Sequence, residues 1–108
     1  MEPIVVLITA ANRAEAGQIA ELLVDARLAA CVQILPEIQS IYRWQGEVAR
    51  DTEVLVLAKT TRDRFDELDR RVREVHSYDT SEIVAVAVTA GSKSYLDWLQ
   101  AAVWSGED

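Results

Sequence analysis

A chain of 108 residues, half of them hydrophobic and with only four Gly and two Pro, specifies one compact domain over residues 1–108. Eighteen Asp and Glu against eleven Lys and Arg leave a net charge of −7, which repels phosphate backbones and argues against a nucleic-acid partner. No apolar run reaches the roughly 20 residues of a membrane span. No secretion signal is visible at Met1–Pro3, and the one cysteine cannot form an internal disulfide, so the expected location is cytoplasmic.

Residues 4–10, IVVLITA, are apolar and β-branched, as in a strand covered on both faces. Asn12 and Glu15 have capping-box spacing, and Ala16, Ile19, Ala20, Leu23 and Ala26 then share one helical face. Gly17 inside that helix either costs stability or lets it approach the sheet closely. From Cys31 the period becomes extended, with an interruption expected at Pro36, which cannot donate a ladder hydrogen bond. Tyr42 and Trp44 fall on one side of this strand, and Gln45-Gly46 reads as a hairpin turn. After a polar stretch, residues 53–61 (EVLVLAKTT) return as an antiparallel partner.

Residues 62–76 carry a helical stripe of Phe65, Leu68, Val72 and Val75 on an otherwise charged background. Thr60 with Asp63, or Thr61 alone, is placed to cap this helix. Arg62, Arg64, Arg70, Arg71 and Arg73 are interleaved with acids, the pattern of a solvated face laced with ion pairs. A further apolar strand is expected over residues 82–90. Ser92 is then placed to cap a last helix containing Tyr95, Leu96, Trp98, Leu99 and Val103, and the tail Ser105–Asp108 is expected to fray. Trp98 reads as an anchor to the core or to a neighbouring copy.

The order β-α-β-β-α-β with an extra C-terminal helix defines an α+β, ferredoxin-like domain: a four-stranded antiparallel sheet with two helices on one face. Its first and last strands are apolar on both faces, yet two helices cover only one. A homo-oligomer that packs sheet against sheet is the economical way to bury the other.

RLAACVQILP (27–36), SIYRWQGEV (40–48) and YLDWL (95–99), supported by VLAKT (56–60) and HSYDTSEI (76–83), resemble the CutA family of divalent-cation tolerance proteins. The likeness runs from Ile4 to Val103, and its specificity lies in the order and spacing of these strings. It implies a tight PII-like homotrimer whose long second and third strands reach across subunit boundaries, with polar clefts between subunits. It also implies a role in tolerance to divalent metals, copper in particular, with no enzymatic activity; mammalian members are linked instead to localising acetylcholinesterase. Copper-binding members carry a Cys where this chain has Ile8, and a second His where it has Val75. Where members read His-Pro-Tyr-Glu-x-Pro-Glu, this chain reads HSYDTSE, with Ser77 and Ser81 in place of the two prolines.

His76, the only histidine, is the candidate ligand for a divalent metal such as Cu or Zn. It reads first, and without excluding a ligand role, as the terminus of the second helix, where imidazole suits the negative end of the dipole. Lys59, His76, Tyr78, Asp79 and Glu82 form a candidate inter-subunit cleft, and Tyr42 and Trp44 a candidate trimer interface. Cys31 reads as a buried strand-start residue. There is no Gly-rich phosphate loop, HExxH or paired-cysteine motif. The expected function is therefore a non-enzymatic homotrimer responding to metal ions through weak or indirect cation binding. The alternative is a signalling or scaffold trimer that binds a small metabolite or anion in its clefts.

Overall fold

In the computed structural model, which describes residues 2–104, the elements run β1 (Pro3–Ala10), α1 (Arg13–Asp25), β2 (Cys31–Trp44), β3 (Glu47–Thr61), α2 (Phe65–Val75), β4 (Ile83–Ala87) and α3 (Lys93–Val103). The tail Ser105–Asp108 lies outside the described residues. The sheet order is β2-β3-β1-β4, and every neighbouring pair is antiparallel. This is the ferredoxin-like arrangement.

The period of two along β1 and β3 decides which residues the helices cover. Ile4, Val6 and Ile8 of β1 and Val54, Val56 and Ala58 of β3 point to one face. There they pack with Ala16, Ile19 and Leu23 of α1 and Leu68 and Val72 of α2. Each such Leu, Ile or Val contributes about 1.5–3 kcal/mol by leaving water. α3 packs on the opposite face: Leu99 and Val103 are buried outside that cluster, and the Lys59 ammonium sits 5.7 Å over the Tyr95 ring. It covers only part of that face. Val84 and Val86 of β4 remain 49% and 50% exposed, so the unburied second face read from the sequence is present.

Several local expectations need correction. β3 begins at Glu47 instead of residue 53, because the polar stretch pairs with β2 as an exposed ribbon where no apolar face is required. β4 ends at Ala87, five residues long, with one further bond from the Val88 N–H to the Pro3 carbonyl. Neither Thr60, Thr61 nor Asp63 caps α2. The chain enters it through a 3-10 turn at Arg62–Arg64, with the Arg62 N–H still bonded to the Glu2 carbonyl. Ser92 stands at the start of α3 without a side-chain cap bond. A Cβ on Gly17 would meet nothing within 4 Å, so that glycine serves no close approach. Trp98 is 48% exposed and does not anchor the core, which leaves only the neighbouring copy of the two expected anchors; Leu99 and Val103 are the residues that α3 buries against the sheet's second face. Cys31 is only half-buried.

Two backbone features were carried by non-glycine residues. α1 stops where Arg27 takes φ 58 and the Leu28 N–H closes onto the Leu23 carbonyl at 2.8 Å. The hairpin turns on Gln45 (φ 52) and Gly46 (φ 82), the two positive values that a type I′ turn requires. On α2, Arg70 pairs with Glu67 and Glu74, and Arg73 with Asp69, as the interleaved charges implied.

Candidate functional site: an acidic cleft beside the long hairpin

A bulge in β2 between Leu35 and Ile38 sets up the site. Before it Leu35 pairs with Leu55; after it Ile38 pairs with Glu53, so one extra residue has been absorbed around Pro36. That single residue swaps the faces of everything beyond it. Ser40, Tyr42 and Trp44 thereby share a face with Asp51 and Glu53, and Thr9 at the end of β1 lies on the same face through its pairing with Leu55.

The facing wall is the segment after α2. His76 ends that helix, its N–H bonded to the Val72 carbonyl at 3.0 Å, and turns to extended backbone. Its Nε2 lies 2.7 Å from the Thr9 carbonyl oxygen, and its Nδ1 accepts the Tyr78 N–H at 3.1 Å. A carbonyl on one nitrogen and an N–H on the other select the neutral Nε2–H tautomer.

Glu15 provides a second tie. Its Oε1 accepts the Ala11 N–H at 2.9 Å and its Oε2 the Ser77 N–H at 2.7 Å, while Asn12 Oδ1 accepts the Glu15 N–H at 2.8 Å. The capping box is therefore only half as expected, since Glu15 reaches back to Ala11 instead of Asn12. Burial opposes the Glu15 charge, but the donors from Ala11 and Ser77 hold its carboxyl below the ordinary glutamate range.

Two tyrosines then donate to the carboxylates of β3. Tyr78 gives its O–H to Glu53 Oε2 at 2.8 Å, and Tyr42 gives its O–H to Asp51. Burial, then the bond to Glu53, pushes the Tyr78 phenol far above its usual range, and the bond to Asp51 raises Tyr42. Both are fixed as O–H donors.

Between these walls lies a cleft of about 730 Å³. Asp51 and Glu53 line it from the ribbon, and Asp79 and Glu82 from the facing segment. Its lining contains no Lys, Arg or His. Thr9, 6% exposed, lines it too, and its hydroxyl makes no hydrogen bond among the described residues.

The structure thus brings together Tyr42, Trp44, Tyr78, Asp79 and Glu82, but not the other two sequence candidates. Lys59 pairs with Val5 and Cys31, six residues along β3 from Glu53 and about 20 Å away at strand rise. His76 sits behind the wall with both ring nitrogens engaged, so coordinating a metal would require breaking one of those bonds. Ile8 is fully buried under the helices and Val75 is exposed, and neither side chain has a lone pair to offer. Among the described residues no three or more His, Cys, Asp or Glu side chains gather as a metal cage. These residues do not fit a chelated copper centre of the kind the family likeness implies. Asp51, Glu53, Thr9 and Glu15 were not singled out as cleft residues from sequence; the one available signal was the i, i+2 pair of carboxylates opening the strand ahead of Leu55.

Strand order, crossover helices and the long hairpin define the class: a ferredoxin-like α+β protein with an added C-terminal helix. The family model described as "CutA1 divalent ion tolerance protein" matches residues 4–102, and the chain belongs to this family. The "Divalent-cation tolerance protein CutA" of Thermus thermophilus is 52% identical over 96 residues, covering 89% of this chain and 93% of that protein. Human "Protein CutA" is 40% identical over 101 residues, covering 94% of this chain but 56% of its own length. Among solved structures, the Thermus thermophilus divalent cation tolerance protein superposes with a TM-score of 0.91 at 50% identity, covering 93% of this chain and 97% of that one. CutA1 from Oryza sativa gives 0.93 at 35% identity, covering 98% and 97%.

Proposed function

We propose that this protein acts in the response to divalent metal ions as a non-enzymatic homotrimer, through loose association of cations with the cleft. The observation that carries this reading is the cleft lining: Asp51, Glu53, Asp79 and Glu82 with no basic side chain among them. Facing carboxylates in a concave, partly dried site raise the local cation concentration. The same lining disfavours an anion. With no free imidazole or thiolate at the cleft, attraction rests on charge and oxygen donors, so Cu²⁺ and Zn²⁺ bind weakly and with little preference.

Assembly is supported by the open sheet face at Val84 and Val86 and by exposed Tyr42, Trp44 and Trp98. Tyr42 and Trp44, on the ribbon at the cleft rim, would meet the next copy, so each cleft would lie between subunits as in a PII-like trimer. No helix among the described residues is long and apolar enough to cross a membrane. Relatives carry the words chloroplastic and periplasmic in their names; a lone half-buried cysteine suits the reducing cytoplasm for this chain.

Equilibrium dialysis of the assembled protein against Cu²⁺ and Zn²⁺ tests the reading. Uptake should be salt-sensitive, reduced by Glu53→Gln and unchanged by His76→Ala. Uptake no higher than that of a charge-matched control protein would remove direct cation binding.

A further inference from the structure

We infer that the same cleft takes a small organic ammonium ion, with Glu53 as its principal anchor and the Thr9 hydroxyl as a second acceptor. The inference rests on the cleft being a cation site and names the class of cation its donors fit.

Glu53 is 8% exposed, yet it carries a carboxylate in a lining with no basic partner. Its Oε2 is held by the Tyr78 O–H, while Oε1 has no protein partner among the described residues. Thr9, one strand away and 6% exposed as a residue, lines the same cavity with a hydroxyl for which no hydrogen bond is found among the described residues. Both residues turn acceptor oxygens to a concave site whose lining supplies no positive charge, so a cationic donor arriving from outside is favoured there. An ammonium group supplies up to three N–H donors and the compensating charge together.

Acceptor number and geometry favour ammonium over a bare divalent ion. A hard divalent cation needs about six oxygen ligands at close range, and no cage of three or more acidic, imidazole or thiol ligands gathers among the described residues. Asp51 and Glu53 are also each tied to a phenol, which limits how far either can swing towards a metal. Ammonium tolerates separated acceptors at ordinary hydrogen-bond distance. Its alkyl part has a surface to lie on, because Tyr42 and Trp44 line the outer part of the cleft and aromatic faces attract cations. A volume of about 730 Å³ suits a small molecule and is far larger than an ion requires. Asp79 and Glu82 across the cleft leave room for a second positive group, which makes a diamine the natural probe.

Calorimetric titration of the assembled protein with a free amine at low ionic strength tests this. 1,4-Diaminobutane should bind saturably at one per chain, and 1,4-butanediol, the neutral analogue, should not. Glu53→Gln, which keeps an acceptor for Tyr78, should weaken the diamine at least about tenfold. Thr9→Val should weaken it about threefold. Absence of saturable diamine uptake overturns the inference. Equal binding of the diol, or an unchanged Glu53→Gln affinity, overturns it as well. Zn²⁺ is titrated in the same series. Zn²⁺ uptake lost in Glu53→Gln, without diamine uptake, leaves the cation reading standing and removes only the ammonium; absence of both removes both.

Discussion

His76 Nε2 lies 2.7 Å from the carbonyl oxygen of Thr9, which ties the end of α2 to the end of β1. With Nδ1 accepting the Tyr78 N–H, the imidazole braces the cleft wall. His76→Ala should therefore lower stability by about 1–3 kcal/mol, the cost of two lost bonds and the partners they leave behind. Denaturant midpoints measure this, and Cu²⁺ and Zn²⁺ uptake measured alongside should stay unchanged. Unaltered stability with lost uptake would restore His76 as a ligand.

Glu15 makes stability depend on acid in a defined direction. Its carboxyl is depressed in the folded state, so its contribution is complete above the ordinary value of 4.5 and is lost as pH falls through the lower folded value. Glu15→Gln should cost about 1–2 kcal/mol at neutral pH, because an amide NH₂ then confronts the N–H of Ala11 or Ser77. The gap between variant and wild type should narrow in the acid range below 4.5. A gap that holds constant into strong acid would show that the charge is not what matters.

Thr60 is fully buried, and its hydroxyl has no partner among the described residues. Thr60→Val keeps the shape and removes the unpaired oxygen, so stability should rise by about 1 kcal/mol in chemical denaturation. A loss would reveal a partner for that oxygen.

Gly17 stands inside α1 with open space where a side chain would go. Gly17→Ala should stabilise the fold by about 0.5–1 kcal/mol, since alanine leaves the unfolded chain fewer conformations to lose. A thermal-unfolding midpoint that falls would mean that the helix uses the missing Cβ after all.

The elements that pack were legible in the sequence because burial imposes a period: Ile4, Val6 and Ile8 at two, Leu68 and Val72 at helical spacing. The first half of β3 was not, since Glu47 to Thr52 meets solvent and nothing forces apolar residues to alternate there. The cleft was half legible. Tyr78, Asp79 and Glu82 are sequence neighbours, but the contacts that hold them span the chain: Thr9 with His76 across 67 residues, Glu15 with Ser77 across 62, and Glu53 with Tyr78 across 25. No local pattern encodes such pairings. The bulge at Pro36 was foreseeable from proline's missing N–H, whereas its exchange of faces for Tyr42 and Trp44 required the register.

The proposed assembly rests on the open sheet face at Val84 and Val86. Light scattering on the eluting size-exclusion peak at micromolar concentration measures this directly. The predicted mass is three times the 12.0 kDa of one chain; a stable species of a single chain mass would contradict the assembly.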